Sequence, residues 1–131
     1  MSKSNAFENS LLLLVFNNTN IALVGDATGL RGSSTVGSLY ASLHTADPGE
    51  AGSQTTNETT YGSYARVSVA RTAGAWTISG NQVSNVAVIT FPAGTTGTVA
   101  QNITHVGIGT DSSGAGTLLY KCALSTAIYS G

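Results

Sequence analysis

Apolar and polar positions alternate along most of this chain once residue 37 is passed. In the stretch SLYASLH, Leu39, Ala41 and Leu43 point one way and Tyr40, Ser42 and His44 the other, the period of a half-buried strand. Asp47-Pro48-Gly49 stops that strand, because it joins a side chain that bonds its own backbone, a ring that presets φ and a residue that tolerates positive φ. Residues 50–62 are rich in Ser, Thr, Asn and Gly and carry no apolar period, so they read as a loop. Tyr64, Arg66, Ser68 and Ala70 then alternate with Ala65, Val67 and Val69 in a second strand. Two strands joined by a long polar loop predict a sheet that presents the loop at one end.

Further along, Trp76 and Ile78 share one side of a strand that turns at Gly80-Asn81, both residues that accept positive φ in a two-residue hairpin, and Val83 lies on the returning strand. The β-branched and aromatic run VAVITF (86–91) predicts another strand, stopped by Pro92-Ala93-Gly94. A Thr/Gly spacer leads to a strand through Ile103 and Gly109. The turn at 111–116 follows, and LLYKCAL (118–124) is the last clear strand. That makes six or seven short strands with regular turn signals and no helical period after Phe16. The pattern predicts a mainly β protein: an antiparallel β-sandwich of jelly-roll or other Greek-key type, with a small closed barrel as the alternative.

One short helix precedes the strands. Ser4 stands as its N-cap, Glu8 lies in its first turn, Phe7, Leu11, Leu14 and Val15 form one face, and Asn17-Asn18 can end it. Leu12, Leu13 and Phe16 fall on other faces, so the helix is apolar nearly all round. Such a helix either docks on another subunit or plugs one end of its own domain. The expected organisation is a helical arm over residues 1–18 and a β-sandwich domain over 19–131. Ile21-Ala22-Leu23-Val24 reads as a strand or an irregular apolar segment. The Gly25-x-x-x-Gly29 spacing after it lacks the Gly-Lys-Ser/Thr of a phosphate loop.

Composition narrows the function classes. The chain has 131 residues, 8% of them charged and a net charge of −1, against about a quarter charged in typical soluble domains. Such an exterior, built from hydroxyls and amides, suits packing against neighbours. The five Lys and Arg residues are scattered, which argues against nucleic acid as a partner. The longest apolar run, Leu11 to Phe16, is too short to span a bilayer or to serve as a signal peptide, so no membrane partner is expected. Synthesis in a cytoplasm fits the single Cys122, which has no second cysteine to pair with.

Candidate chemistry is sparse. His44, Asp47, Glu50 and Glu58 lie in or beside the long loop, but Asp47 has a turn backbone to cap and His44 is one polar member of a strand face. His105 has no second ligand at zinc spacing. Cys122 alternates with Tyr120 and Leu124 and reads as a small buried residue. No Gly-x-Ser-x-Gly elbow occurs, and the turn at Asp111 has one carboxylate where calcium needs several oxygens. The sequence therefore predicts no enzyme, no catalytic residue, no metal and no cofactor.

The stretches SNAFENSLLLLVFN, SLYASLHTADPGEAG, TTNETTYGSYARVSVAR, WTISGNQVS, ITFPAGTTG and ITHVGIGTDSSGAGTLLY together resemble a family of small virion proteins of tailed bacteriophages, commonly labelled phage tail fibre proteins. Small β-sandwich proteins of this size are also similar to capsid decoration, or cement, proteins. The resemblance implies a structural protein of the virion, made in the bacterial host cytoplasm. Because the chain lacks the length and repeats of a fibre shaft, the first expectation is a decoration protein on the capsid surface that bridges major capsid protein subunits. Its partners would be the major capsid protein and copies of itself, as dimer or trimer. The alternative is a tail fibre or tail-tip protein involved in host attachment, with tail proteins as partners. Expected contact residues are Phe7, Leu11, Leu12, Leu13 and Phe16 of the helix and Asp47, Pro48, Glu50, Asn57 and Tyr61 of the loop. Similar proteins continue past a final turn with another strand, whereas this sequence ends at Ile128-Tyr129-Ser130-Gly131.

Overall fold

The computed structural model describes residues 1–95 and 100–130. The protein is mainly β, with antiparallel pairing and one short helix near its amino terminus. The elements are α1 (Asn5–Asn17), β1 (Ser38–His44), β2 (Val67–Ala70), β3 (Trp76–Ser79), β4 (Gln82–Asn85), β5 (Gln101–Gly109) and β6 (Leu118–Ser130). They form a four-stranded sheet of order β2-β1-β5-β6 and a separate β3-β4 hairpin. The chain divides into two compact units, one of Met1–Ser38 with Ala70–Val88 and the other of Leu39–Val69 with Ile89–Gly131.

In the first unit, local chemistry sets both ends of α1. The Ser4 hydroxyl accepts from the Phe7 amide at 3.3 Å, and Asn18 takes the left-handed conformation at φ 54 that closes the helix. No basic residue lies in the last turn of α1. Instead Arg71 donates to the carbonyls of Val15 and Leu14 at 2.6 and 2.7 Å, supplying the positive charge and the donors that a helix carboxyl end lacks.

The face of α1 that is buried carries Leu12 and Phe16 (7% and 1% exposed) rather than Phe7, Leu11, Leu14 and Val15. A helix apolar on every side does not select a face by its own periodicity. Here the β3-β4 hairpin selects it. Trp76 of β3 meets Phe16 edge to face, with ring centroids 4.9 Å apart. The hairpin turn is pinned to the helix where Asn9 Nδ2 donates to the Gly80 carbonyl. Of the two turn residues only Gly80 adopts positive φ (60°), the pattern of a turn with glycine at its first central position.

Of the two readings open for residues 21–24, the irregular apolar segment is the one observed, and the strand expected at 86–91 is absent. Ile21 makes an isolated bridge to Leu30, and the chain between them is a turn shaped by Asp26, whose Oδ1 accepts from the amides of Thr28 and Gly29 at 2.7 and 3.1 Å. Residues 86–91 form no strand either, and Val86 and Val88 are 56% and 86% exposed. β-Branched composition favours an extended backbone, but a strand also needs a partner ladder, and none lies beside this segment among the described residues. The Thr/Gly spacer after Gly94 lies partly outside the described residues.

In the second unit, β1 is an inner strand. Its register against β5 runs from Tyr40 opposite Gly109 to His44 opposite His105. The predicted alternation holds for Leu39, Ala41 and Leu43, all buried, but Ser42 and His44 are buried as well. The face expected to meet water is covered because the chain after His44 folds back on it. β6 extends through Ile128 and Tyr129, so the segment beyond residue 124 belongs to the last strand. β6 ends the sheet order, and Cys122, expected to be buried, is exposed there. Leu43, Tyr61 and Ile103 form the buried apolar cluster, with Tyr64, Phe91 and Leu124 packed against it.

Candidate contact surface

The loop between β1 and β2 is polar in composition yet tied down along its length. Its first turn is built as its residues require: the Gly49 amide donates to Asp47 Oδ1 at 2.8 Å, and Gly49 sits at φ 75. Asn57, at φ 55, donates from its side chain to the Asp47 carbonyl at 3.0 Å, while its own carbonyl accepts from the Thr45 amide at 2.8 Å. The returning limb then runs along the end of β1, where His44 bridges Glu58 and the Thr59 amide donates to the Leu43 carbonyl at 2.9 Å.

Gln54 anchors the middle of the loop. It is wholly buried and exchanges bonds with the β5-β6 turn: the Asp111 amide donates to Gln54 Oε1 at 2.9 Å, and the Gln54 amide donates to the Ala115 carbonyl at 2.9 Å. Room for it comes from Gly109 and Gly116, where a Cβ would stand 2.1 Å and 2.2 Å from Gln54 atoms. Sequence reading missed Gln54. The glycines at 109 and 116 were the available signal, since each marks a close approach of some other group.

A charge pair closes the far end. Arg66 Nε and Nη2 donate to Glu58 Oε1 and Oε2 at 2.7 and 2.8 Å, a bidentate geometry, with the two side chains 3% and 14% exposed. Arg66 also donates to the carbonyls of Asp111 and Gly114 at 2.9 and 2.7 Å, so one guanidinium holds the loop and the β5-β6 turn together. The bond to Glu58 raises the Arg66 pKa further. Tyr64 donates to Glu58 Oε1 at 2.8 Å and accepts from the Leu43 amide at 3.0 Å. Burial pushes its phenol well above the ordinary range, so it stays neutral.

His44 completes the set. Its Nδ1 lies 2.8 Å from the Thr56 carbonyl and its Nε2 2.9 Å from Ser42 Oγ. Both ring nitrogens are thus engaged inside the protein, and burial lowers the pKa of the ring. Among the described residues no group of three or more His, Cys, Asp or Glu side chains is arranged to hold a metal ion.

The expected contact residues separate into two sets. Asp47, Glu50 and Asn57 are exposed on the loop, beside exposed Thr55 and Thr60, while Pro48 and Tyr61 are buried beneath it. Tyr61 packs in the apolar cluster and donates to the Pro92 carbonyl at 2.7 Å. On α1, Leu12 and Phe16 are buried within their unit, Leu11 and Leu13 are half-buried, and Phe7 is 38% exposed. A buried side chain is unavailable to a neighbour unless its unit opens. Lys121 of β6 pairs with Asp47 and Glu50 at 3.0 and 3.2 Å, and beside it lies an open cleft of about 230 Å³ lined by Gly49, Glu50, Gly52 and the first residues of β6.

The site is therefore a polar surface over a hydrogen-bonded polar interior, in which His44, Gln54, Glu58 and Arg66 are turned inward and bonded. No curated protein matches the chain. A family model described as podophage GP4 fiber I protein gp80 matches residues 2–129, nearly the whole length. The chain therefore belongs to the podophage GP4 fiber I protein gp80 family, a family of bacteriophage structural proteins of the virion.

Proposed function

We propose that this chain is a non-catalytic subunit of a virion fibre that works by repeated surface contact through residues 45–60. Its partners are copies of itself and neighbouring virion proteins. One observation carries this reading: Asp47, Glu50, Thr55, Asn57 and Thr60 are exposed on a loop whose interior is clamped by Gln54, Glu58, Arg66 and His44. A surface already held in one shape loses little conformational entropy when a partner meets it. With 8% charged residues, identical copies also repel one another weakly when crowded. Phe7 and the half-buried Leu11 and Leu13 offer a second, apolar contact on α1.

The family description names a fibre, which favours a fibre or tail-tip position over decoration of the head. A cement protein bridging major capsid protein subunits would use the same contact physics and differ in location. Immunogold labelling of purified particles separates the two. Label confined to fibres or tail supports the proposal, and label spread over the capsid shell overturns it in favour of decoration. For the loop itself, Glu50→Lys with Thr60→Lys reverses or adds charge at two exposed positions. Lower copy number in particles or slower host adsorption, with an unchanged circular dichroism spectrum, is the expected result. Wild-type incorporation and adsorption would refute the role given to the loop.

A further inference from the structure

His44 joins the loop to β1 and is sealed from water, with 0% exposure. The Thr56 carbonyl only accepts, so at 2.8 Å it fixes the ring proton on Nδ1. Nε2 is then a bare lone pair, and the Ser42 hydroxyl donates to it at 2.9 Å. Ser42 is also 0% exposed, and among the described residues its hydroxyl has no other hydrogen-bond partner. Gly107 of β5 closes the remaining side, since a Cβ there would stand 2.7 Å from Nε2.

We propose that His44 is an acid-sensitive latch for residues 45–60, whose protonation releases the loop from β1; its use in the virion rests on the reading of that loop as a contact surface. A second ring proton turns Nε2 into a donor, leaving the buried Ser42 hydroxyl hydrogen without an acceptor and placing a charge where water does not reach. The surrounding charges do not relieve this. Glu58 favours the charged ring, but its oxygens are engaged by Arg66 and Tyr64. The Arg66 guanidinium and His105, opposite His44 on β5, oppose it. Lys121 of β6 lies opposite Gly107 and is paired with Asp47 and Glu50. Tyr64 stays neutral. Because the closed form binds the imidazole proton less tightly than the open form, the latch is fully favoured above the ordinary imidazole range and weakens as pH falls through it.

Amide hydrogen exchange on the intact chain, expressed as protection factors so that the intrinsic pH dependence cancels, tests the latch. The Thr45 and Thr59 amides, bonded to the Asn57 and Leu43 carbonyls at 2.8 and 2.9 Å, report on it. The Val86 amide, bonded to the Ala75 carbonyl at 2.9 Å, is the reference. Between about pH 8 and about pH 5 the loop amides should lose protection, by up to roughly tenfold for each pH unit below the ordinary imidazole range, with Val86 unchanged. His44→Gln should abolish this response and His105→Gln should keep it. Flat loop protection over that range, or a response that survives His44→Gln, would overturn the proposal. Should His44→Gln fail to fold, ring nitrogen shifts of the wild-type chain decide instead: a proton on Nε2 at neutral pH, or titration at the ordinary value, refutes the latch. Since these measurements need no partner, their failure leaves the contact-surface reading to be judged separately by virion incorporation.

Discussion

Replacing Arg66 by methionine measures what the clamp contributes. The Arg66 side chain is 3% exposed, and its guanidinium donates to both oxygens of Glu58 and to the carbonyls of Asp111 and Gly114. Methionine keeps much of the apolar stem and loses every donor. Asp111 and Gly114 are exposed residues, so water takes over their carbonyls at small cost. The Glu58 carboxylate is the expensive partner, because it is 14% exposed and among the described residues would keep only the Tyr64 hydroxyl. Stranding one member of a buried pair costs about 3–5 kcal/mol, and the residual water contact of Glu58 places the loss near the lower end, about 3 kcal/mol. With an m-value of about 2 kcal/mol/M in urea, the unfolding midpoint should fall by about 1.5 M. Adding Glu58→Gln removes the stranded charge and should recover at least about 1 kcal/mol, which a double-mutant cycle reads directly. A midpoint shift below about 0.5 M would refute the reasoning, since the pair would then be behaving as an exposed ion pair worth 0–1 kcal/mol.

Three further expectations test other parts of the structure. Gly109→Ala drives a methyl to 2.1 Å from Gln54 and should cost about 1–3 kcal/mol by thermal unfolding, and a variant as stable as wild type would mean Gln54 does not fill that space. Phe16→Ala empties the contact with Trp76 and should cost about 3–5 kcal/mol, with a red shift of the single tryptophan's emission as the reporter; unchanged emission would show that the two rings do not pack. Cys122, exposed on β6, should react with a thiol reagent in the folded protein at close to the rate of the unfolded chain. Silence until denaturant is added would contradict that placement.

The turns and caps were the legible part of the fold. Ser4, Asn18, the Asp47-Pro48-Gly49 turn and Gly80-Asn81 all do what their residue chemistry requires, because a cap or tight turn is settled by groups within a few residues of one another. Alternation likewise placed strands at Trp76 and Ile78, over 103–109 and over 118–124, each of which falls within an observed strand. The candidate surface was legible only on its outside. Asp47, Glu50 and Asn57 could be read as loop residues. Gln54 and Arg66, which give the loop its rigidity, read as ordinary polar residues because their partners at 111–115 lie far along the chain. His44 and Ser42 obeyed the period of a half-exposed strand and are nevertheless buried, since nothing within SLYASLH says that the following loop will cover them.

Residue chemistry in the linear chain thus decided where the backbone turns, which segments extend and how little charge the surface carries, because those outcomes depend on neighbours in sequence and on composition. Which extended segments found partners, which face of α1 was buried, why 86–91 stayed unpaired and why Cys122 is exposed were decided in three dimensions. Hydrogen-bonded ladders, close packing and desolvation all depend on groups that meet only when distant parts of the chain come together, and the clamp beneath the 45–60 loop is the clearest case.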